Sequence, residues 1–187
     1  MADQLPEDSV VRGVQEAVRQ ATEAVRSNQP GLFTALIIDA NSGALLATGR
    51  NEVLIRCDPT AHAEIVAIRE ACFTTKSIRL DAAVLCCNAE PCPMCLAAAY
   101  WAGIRGVYYA CSKEQVASLV GFDDARLYED LARNPQERTL MRTTLVKLDG
   151  GDECDPTEAF TLWKERETSH PTDASAVSPS AHAASSH

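Results

Sequence analysis

The sequence predicts an α/β fold in which a sheet lies between helices on both of its faces. Two observations carry this. Short apolar or β-branched runs at 32–39, 44–48, 82–87, 106–111 and 143–148 have the length of strands. Stretches with helical spacing alternate with them, at 10–25, 60–73, 93–102, 113–119, 125–133 and 156–167. With 46% hydrophobic residues the chain can bury a core. One domain is expected over 1–167.

The first helix is marked by Asp8-Ser9 as a cap and by apolar residues at Val10, Val14, Ala17, Val18, Ala21 and Val25. Asn28-Gln29-Pro30-Gly31 breaks it. Asn41-Ser42-Gly43 turns the first strand back into the second as a hairpin. Pro59-Thr60 opens a helix with Ile65, Ile68 and Cys72 on one face. Pro93 suits the first turn of the next helix, which Gly103 closes. The Gly121-Phe122-Asp123-Asp124 loop separates two further helical stretches. In the final helix, Phe160 and Trp163 are spaced for burial. Ala, Ser, Pro and His dominate 168–187 without periodicity, and that tail is expected to be disordered.

The net charge of −9 disfavours a nucleic-acid partner, because a phosphate backbone is bound mainly by Lys and Arg. A small neutral substrate is the expected partner. The longest apolar runs are too short to span a bilayer, and no signal peptide is visible. The eight cysteines are expected to be reduced thiols in a cytoplasmic chain, with Cys72, Cys86, Cys87 and Cys111 acting as small core hydrophobes.

Before the tail, the chain has a single histidine, His62, in His62-Ala63-Glu64. Thirty residues later comes Glu90-Pro91-Cys92-Pro93-Met94-Cys95. His62, Cys92 and Cys95 offer one nitrogen and two sulfurs, the three protein ligands of a catalytic Zn2+ with one open position. Cys92 and Cys95 stand three apart in the first turn of a helix, whose N–H groups favour thiolates. His62 is near the start of the preceding helix, so two helix N-termini can meet at one ion. A Cys-x-x-Cys pair also occurs in structural zinc sites and redox pairs. Cys57 is the nearest fourth donor by sequence. Glu64 has two readings: an acidic residue easing a helix dipole, or the proton shuttle of a zinc site.

The pattern H-x-E … P-C-x-x-C is the signature of zinc nucleobase deaminases. From about residue 8 to 165 the chain resembles the cytidine-deaminase superfamily and, within it, the bacterial guanine deaminases. The resemblance rests on 58–64, 90–96, Tyr100-Trp101-Ala102 and 121–124. It implies a three-layer α/β/α cytidine-deaminase-like fold with a five-stranded mixed sheet, in a homodimer. It further implies that His62, Cys92 and Cys95 hold zinc and that Glu64 is the general acid/base, with Asp123 a second carboxylate. Asn51, the Ala63 N–H, Trp101 and Phe33 would line the substrate pocket. Each also has a plain structural role open to it: a turn for Asn51, the core for Trp101, a helix cap for Asp123. The implied reaction is hydrolytic deamination, guanine to xanthine plus ammonia. The alternatives are another base, a nucleoside, a modified purine or a triazine, or a non-catalytic zinc-bearing scaffold. The chain departs from the family at Thr34, where a glycine is usual. It also lacks an aromatic residue beyond Trp163, where guanine deaminases use one at the extreme C-terminus.

Overall fold

A computed structural model describes residues 7–141, 143–146 and 155–169. The described chain forms two compact units, one running to Arg126 and one from Leu127 onward.

The first unit begins with α1 (Glu7–Arg26), whose apolar stripe is the one its 3.6-residue period promised. Strand β1 (Thr34–Asp39) and strand β2 (Leu45–Arg50) form the hairpin, and its turn is tied by the Asp39 carboxylate. That carboxylate accepts from the N–H groups of Asn41 and Ser42 at 3.1 and 2.7 Å, while Gly43 supplies a positive φ of 71°. A one-turn helix α2 (Val53–Arg56) follows, closed by Cys57 in the left-handed region. Its four residues are too few to show any periodicity, so sequence pattern misses it. Helix α3 (Ala63–Thr75) starts at Ala63 and not near Thr60, because 58–62 is spent on a turn. Then come β3 (Ala83–Ala89), α4 (Pro93–Trp101), β4 (Gly106–Cys111) and α5 (Lys113–Val120).

The sheet order is β2-β1-β3-β4. Strand β1 runs antiparallel to β2 and β3, and β3 runs parallel to β4, so the sheet is mixed. Helix α1 covers one face through Leu36, Ile38, Val84 and Cys86. The other face, with Ala35, Ile37, Leu85 and Cys87, packs beneath α3 and α4. This is the three-layer α/β/α arrangement. Gly49 makes it possible at one point: a Cβ there would collide with the Ala63 carbonyl oxygen and the Ala67 nitrogen. The N-terminus of α3 therefore sits directly on β2.

The sheet has four strands among the described residues, not five. Residues 143–146 join no strand ladder among the described residues, and Leu145 and Val146 are exposed. β-branched composition favours a strand only where a neighbouring edge supplies hydrogen bonds. Positions 147 and 148 lie outside the described residues.

In the second unit, α6 (Ala125–Ala132, straddling the boundary) leads into a single 3-10 turn at Pro135–Glu137. The Asp130 carboxylate accepts from the Thr139 N–H at 2.6 Å, the Thr139 hydroxyl at 3.0 Å and the Leu140 N–H at 3.3 Å. Helix α7 (Glu158–Ser169) runs two residues into the stretch read as tail, and 170–187 lies outside the described residues. Phe160 and Trp163 are exposed, contrary to expectation. Spacing aligns two side chains on a face but does not supply a surface to bury them. No helix among the described residues is long and apolar enough to cross a membrane.

Candidate active site

His62 stands at the N-cap of α3 with extended backbone (φ −66°, ψ 157°) and makes no capping bond through its side chain. The preceding turn explains its placement. The Asp58 carboxylate accepts from the Thr60 hydroxyl at 2.7 Å and the Thr60 N–H at 2.8 Å, which also holds its pKa below the usual carboxylate value. Cys92 is the N-cap of α4 in nearly the same conformation (φ −70°, ψ 167°), Pro93 follows where no N–H is needed, and Cys95 is one turn in. Ile65 of α3 packs against both cysteines and so joins the two helix starts.

The three donors converge. His62 Nδ1 lies 3.6 Å from Cys92 Sγ and 3.6 Å from Cys95 Sγ, and the two sulfurs are 3.6 Å apart. A tetrahedral zinc with Zn–S of about 2.3 Å and Zn–N of about 2.0 Å requires S···S near ~3.8 Å and S···N near ~3.5 Å. The donor set and its spacing fit zinc. Among the described residues, no fourth His, Cys, Asp or Glu joins this group. Cys57, the fourth donor considered from sequence, is exposed on the turn after α2. A closed structural site and a simple redox pair both fit this arrangement poorly.

Charge is shared within the cluster. The hydrogen bond with Cys95, reinforced by His62, holds the Cys92 thiol down at about 4, while the same bond and burial push Cys95 up. His62 is raised, chiefly by its hydrogen bond to Cys92. Glu64 is buried in the first turn of α3, and that burial raises its carboxyl above the ordinary value.

The remaining predicted residues fall in different places. Asp123 is exposed, and its carboxylate accepts from the Ala125 N–H at 2.9 Å, an Asx turn leading into α6. Its neighbour Asp124 is the half-buried one. Burial and the nearby Cys92 raise its carboxyl, and His62 acts on it in the opposite sense. Sequence reading chose the first aspartate of the pair.

Asn51 follows β2, and its Oδ1 accepts from the Val53 N–H at 3.3 Å. Its own N–H donates to the Phe33 carbonyl at 3.1 Å. The half-buried Phe33 ring meets Phe122 edge-on, with centroids 5.8 Å apart. These contacts gather Asn51, Phe33 and the 121–124 loop. Ala63 is buried at the start of α3, between His62 and Glu64. Trp101, at the end of α4, is 55% exposed and not a core residue. Thr34 is buried, with its hydroxyl donating to the Gly31 carbonyl at 3.1 Å. Its extra bulk is absorbed in the β1 start. Glu90 accepts from the Lys113 N–H at 3.0 Å and pairs with its ammonium at 3.4 Å, bracing the Cys92 loop against the first residue of α5.

Residues 9–111 match the cytidine and deoxycytidylate deaminase zinc-binding region. The chain belongs to this deaminase family. It is 42% identical over 127 residues to the guanine deaminase of Bacillus subtilis (strain 168), a match covering 68% of this chain and 80% of that protein. The solved guanine deaminase structure from Bacillus subtilis superposes with a TM-score of 0.73 at 37% identity, covering 82% of this chain and 92% of the other. A solved relative in complex with 2,6-diaminopurine superposes with a TM-score of 0.55 at 30% identity, covering 60% of this chain and 61% of the other. The domain is a zinc-binding deaminase domain, and His62, Cys92 and Cys95 are positioned to form its metal site.

Proposed function

We propose that this deaminase hydrolyses guanine to xanthine and ammonia. The observation that carries the reading is the trio of donors 3.6 Å apart with the buried Glu64 two residues from His62. Similarity to a guanine deaminase along most of both chains supports the choice of base. In the net reaction, water oxygen forms the new bond to C2 of the purine, the C2–N bond breaks, and the amino group leaves as ammonia.

Bound zinc supplies a water whose pKa falls to about 7, a nucleophile at neutral pH. His62, Cys92 and Cys95 would hold the zinc. Glu64 takes the proton from the attacking water and passes it to the purine ring nitrogen. Its burial at the start of α3 keeps the carboxyl next to the metal donors and away from bulk water. Asp124, and not the exposed Asp123, is the second carboxylate, assisting the departing amine. The Asn51 amide reads the purine edge, with its oxygen already engaged by Val53 and its NH2 left to donate. The Ala63 N–H meets the base, and Phe33 and Trp101 flank it.

The working unit in this reading is a cytoplasmic homodimer of domains spanning 1–167. Exposed Tyr100 and Trp101 offer apolar surface to a second copy. The seven described cysteines, all unpaired, suit a reducing compartment.

The test is ammonia release by the purified, zinc-loaded chain from guanine, guanosine, adenine, cytosine, cytidine and ammeline. Guanine is expected to be the substrate turned over fastest. If guanine yields no ammonia, the assignment is wrong.

A further inference from the structure

We propose that Asn88 is a positioning residue for the base site, its side-chain amide gripping the main chain on both sides of Phe33. This rests on the reading of Phe33 as part of that site.

The ladder between β1 and β3 ends at the pair Ala35–Cys87. Residues 32–34 lie past its last rung, where the backbone has lost its β3 ladder while Thr34 stays paired with Arg50 of β2. Asn88 replaces the missing rungs. Its Nδ2 donates to the Leu32 carbonyl at 2.8 Å, and its Oδ1 accepts from the Thr34 N–H at 2.8 Å. One donor and one acceptor, each with a matching partner, define a single orientation of the amide. The Thr34 hydroxyl, bonded to the Gly31 carbonyl at 3.1 Å, pins the same segment from within the strand.

The grip comes from the face of the sheet opposite the site. Ala35, Cys87 and the Phe33 ring lie with the cluster beneath α3 and α4. Asn88 instead borders the apolar groove between α1 and β4, beside Val18, Ala21, Leu32 and Ala110. The amide therefore fixes Phe33 from behind, without touching anything that meets the base. Phe33 in turn holds two other groups: its carbonyl receives the Asn51 N–H, and its ring abuts Phe122. Loosening 32–34 would shift the wall and its partners together while leaving His62, Cys92, Cys95 and Glu64 on their helix starts. The consequence is a loss of affinity for the base and not of chemistry.

The experiment is steady-state kinetics on guanine with zinc content measured on each variant. Asn88→Ala is expected to raise KM about tenfold, with kcat within about twofold of wild type and zinc retained. In a Phe33→Ala background, the same substitution should move KM by clearly less than about tenfold, since the ring it positions is gone and only the main-chain tie to Asn51 remains. An unchanged KM in Asn88→Ala, or a KM shift that persists in full without the Phe33 ring, overturns the proposal. Should the alanine variant lose zinc or unfold, Asn88→Asp carries the test, because its carboxylate keeps an acceptor for the Thr34 N–H and loses the donor to the Leu32 carbonyl. An intermediate KM supports the proposal, and a wild-type KM overturns it. Wild-type protein inert toward guanine defeats the functional reading itself. An active wild type with an Asn88-independent KM defeats only this one.

Discussion

The stretch up to Arg126 and the stretch after it are held together by different forces. In the first, Ile37, Val84 and Leu85 are completely buried in a sheet covered on both faces. In the second, Asp130 is the buried residue among those described, and Leu140, Leu145, Val146, Phe160, Leu162 and Trp163 are all exposed. One region is organised by apolar burial and the other by a carboxylate with three hydrogen bonds. The three metal donors must stay within tenths of an ångström of one another, and they stand on the buried region. A close-packed core resists small displacements, whereas polar contacts at a surface exchange with water.

The largest effect should come from inside the site. Glu64→Gln keeps the shape of the side chain but cannot carry the proton, so turnover should fall on the order of 10²–10⁴-fold with zinc retained, as measured by ammonia release and elemental analysis. If the variant works normally, the buried carboxyl has only a structural part.

The contrast in forces can be tested directly. Leu85→Ala should cost about 2–5 kcal/mol in urea unfolding, while Phe160→Ala should cost no more than about 0.5 kcal/mol. Equal costs would mean that α7 is packed as firmly as the sheet.

The two aspartates of 121–124 separate next. Asp124→Asn should lower turnover by about tenfold or more with little loss of stability. Asp123→Asn should leave turnover near wild type, because asparagine makes an Asx turn as well as aspartate does. The reverse result would return the catalytic role to Asp123.

The smallest effect is pH-dependent. The Thr139 N–H, ahead of its hydroxyl and the Leu140 N–H, lowers the Asp130 pKa in the folded chain. A carboxyl depressed on folding stabilises at pH above its unfolded value of about 3.9, and that contribution is lost as pH falls through the folded pKa. Protection of the Thr139 and Leu140 amides, relative to their intrinsic exchange rates at each pH, should therefore fall on acidification before protection in β3 does. Asp130→Asn should remove that acid dependence.

The metal site was legible because spacing and helix chemistry coincide. Pro93 marks a first helical turn, so a cysteine on either side of Pro93-Met94 falls on one face of it, whatever the rest of the chain does. The β1–β2 hairpin, α1 and β4 were readable for the same reason, their periods being local. Trp101 and Phe160 were harder to place, since a large apolar residue can be buried or exposed at the same spacing. Asp123 and Asp124 were ambiguous as adjacent residues of one type. The fifth strand was inferred from composition at 143–148, where a strand needs an edge that composition does not specify.

By itself, then, the order of residues determined the donor set and the alternation of strands and helices. Both follow from interactions within a few positions or from the chemistry of particular side chains. Only the tertiary structure decided which aspartate of the pair is half-buried, that Gly49 admits α3 onto β2, and that Asn88 closes on both sides of Phe33. Those depend on backbone segments up to 56 positions apart meeting across a packed sheet, and no local pattern encodes such a distance.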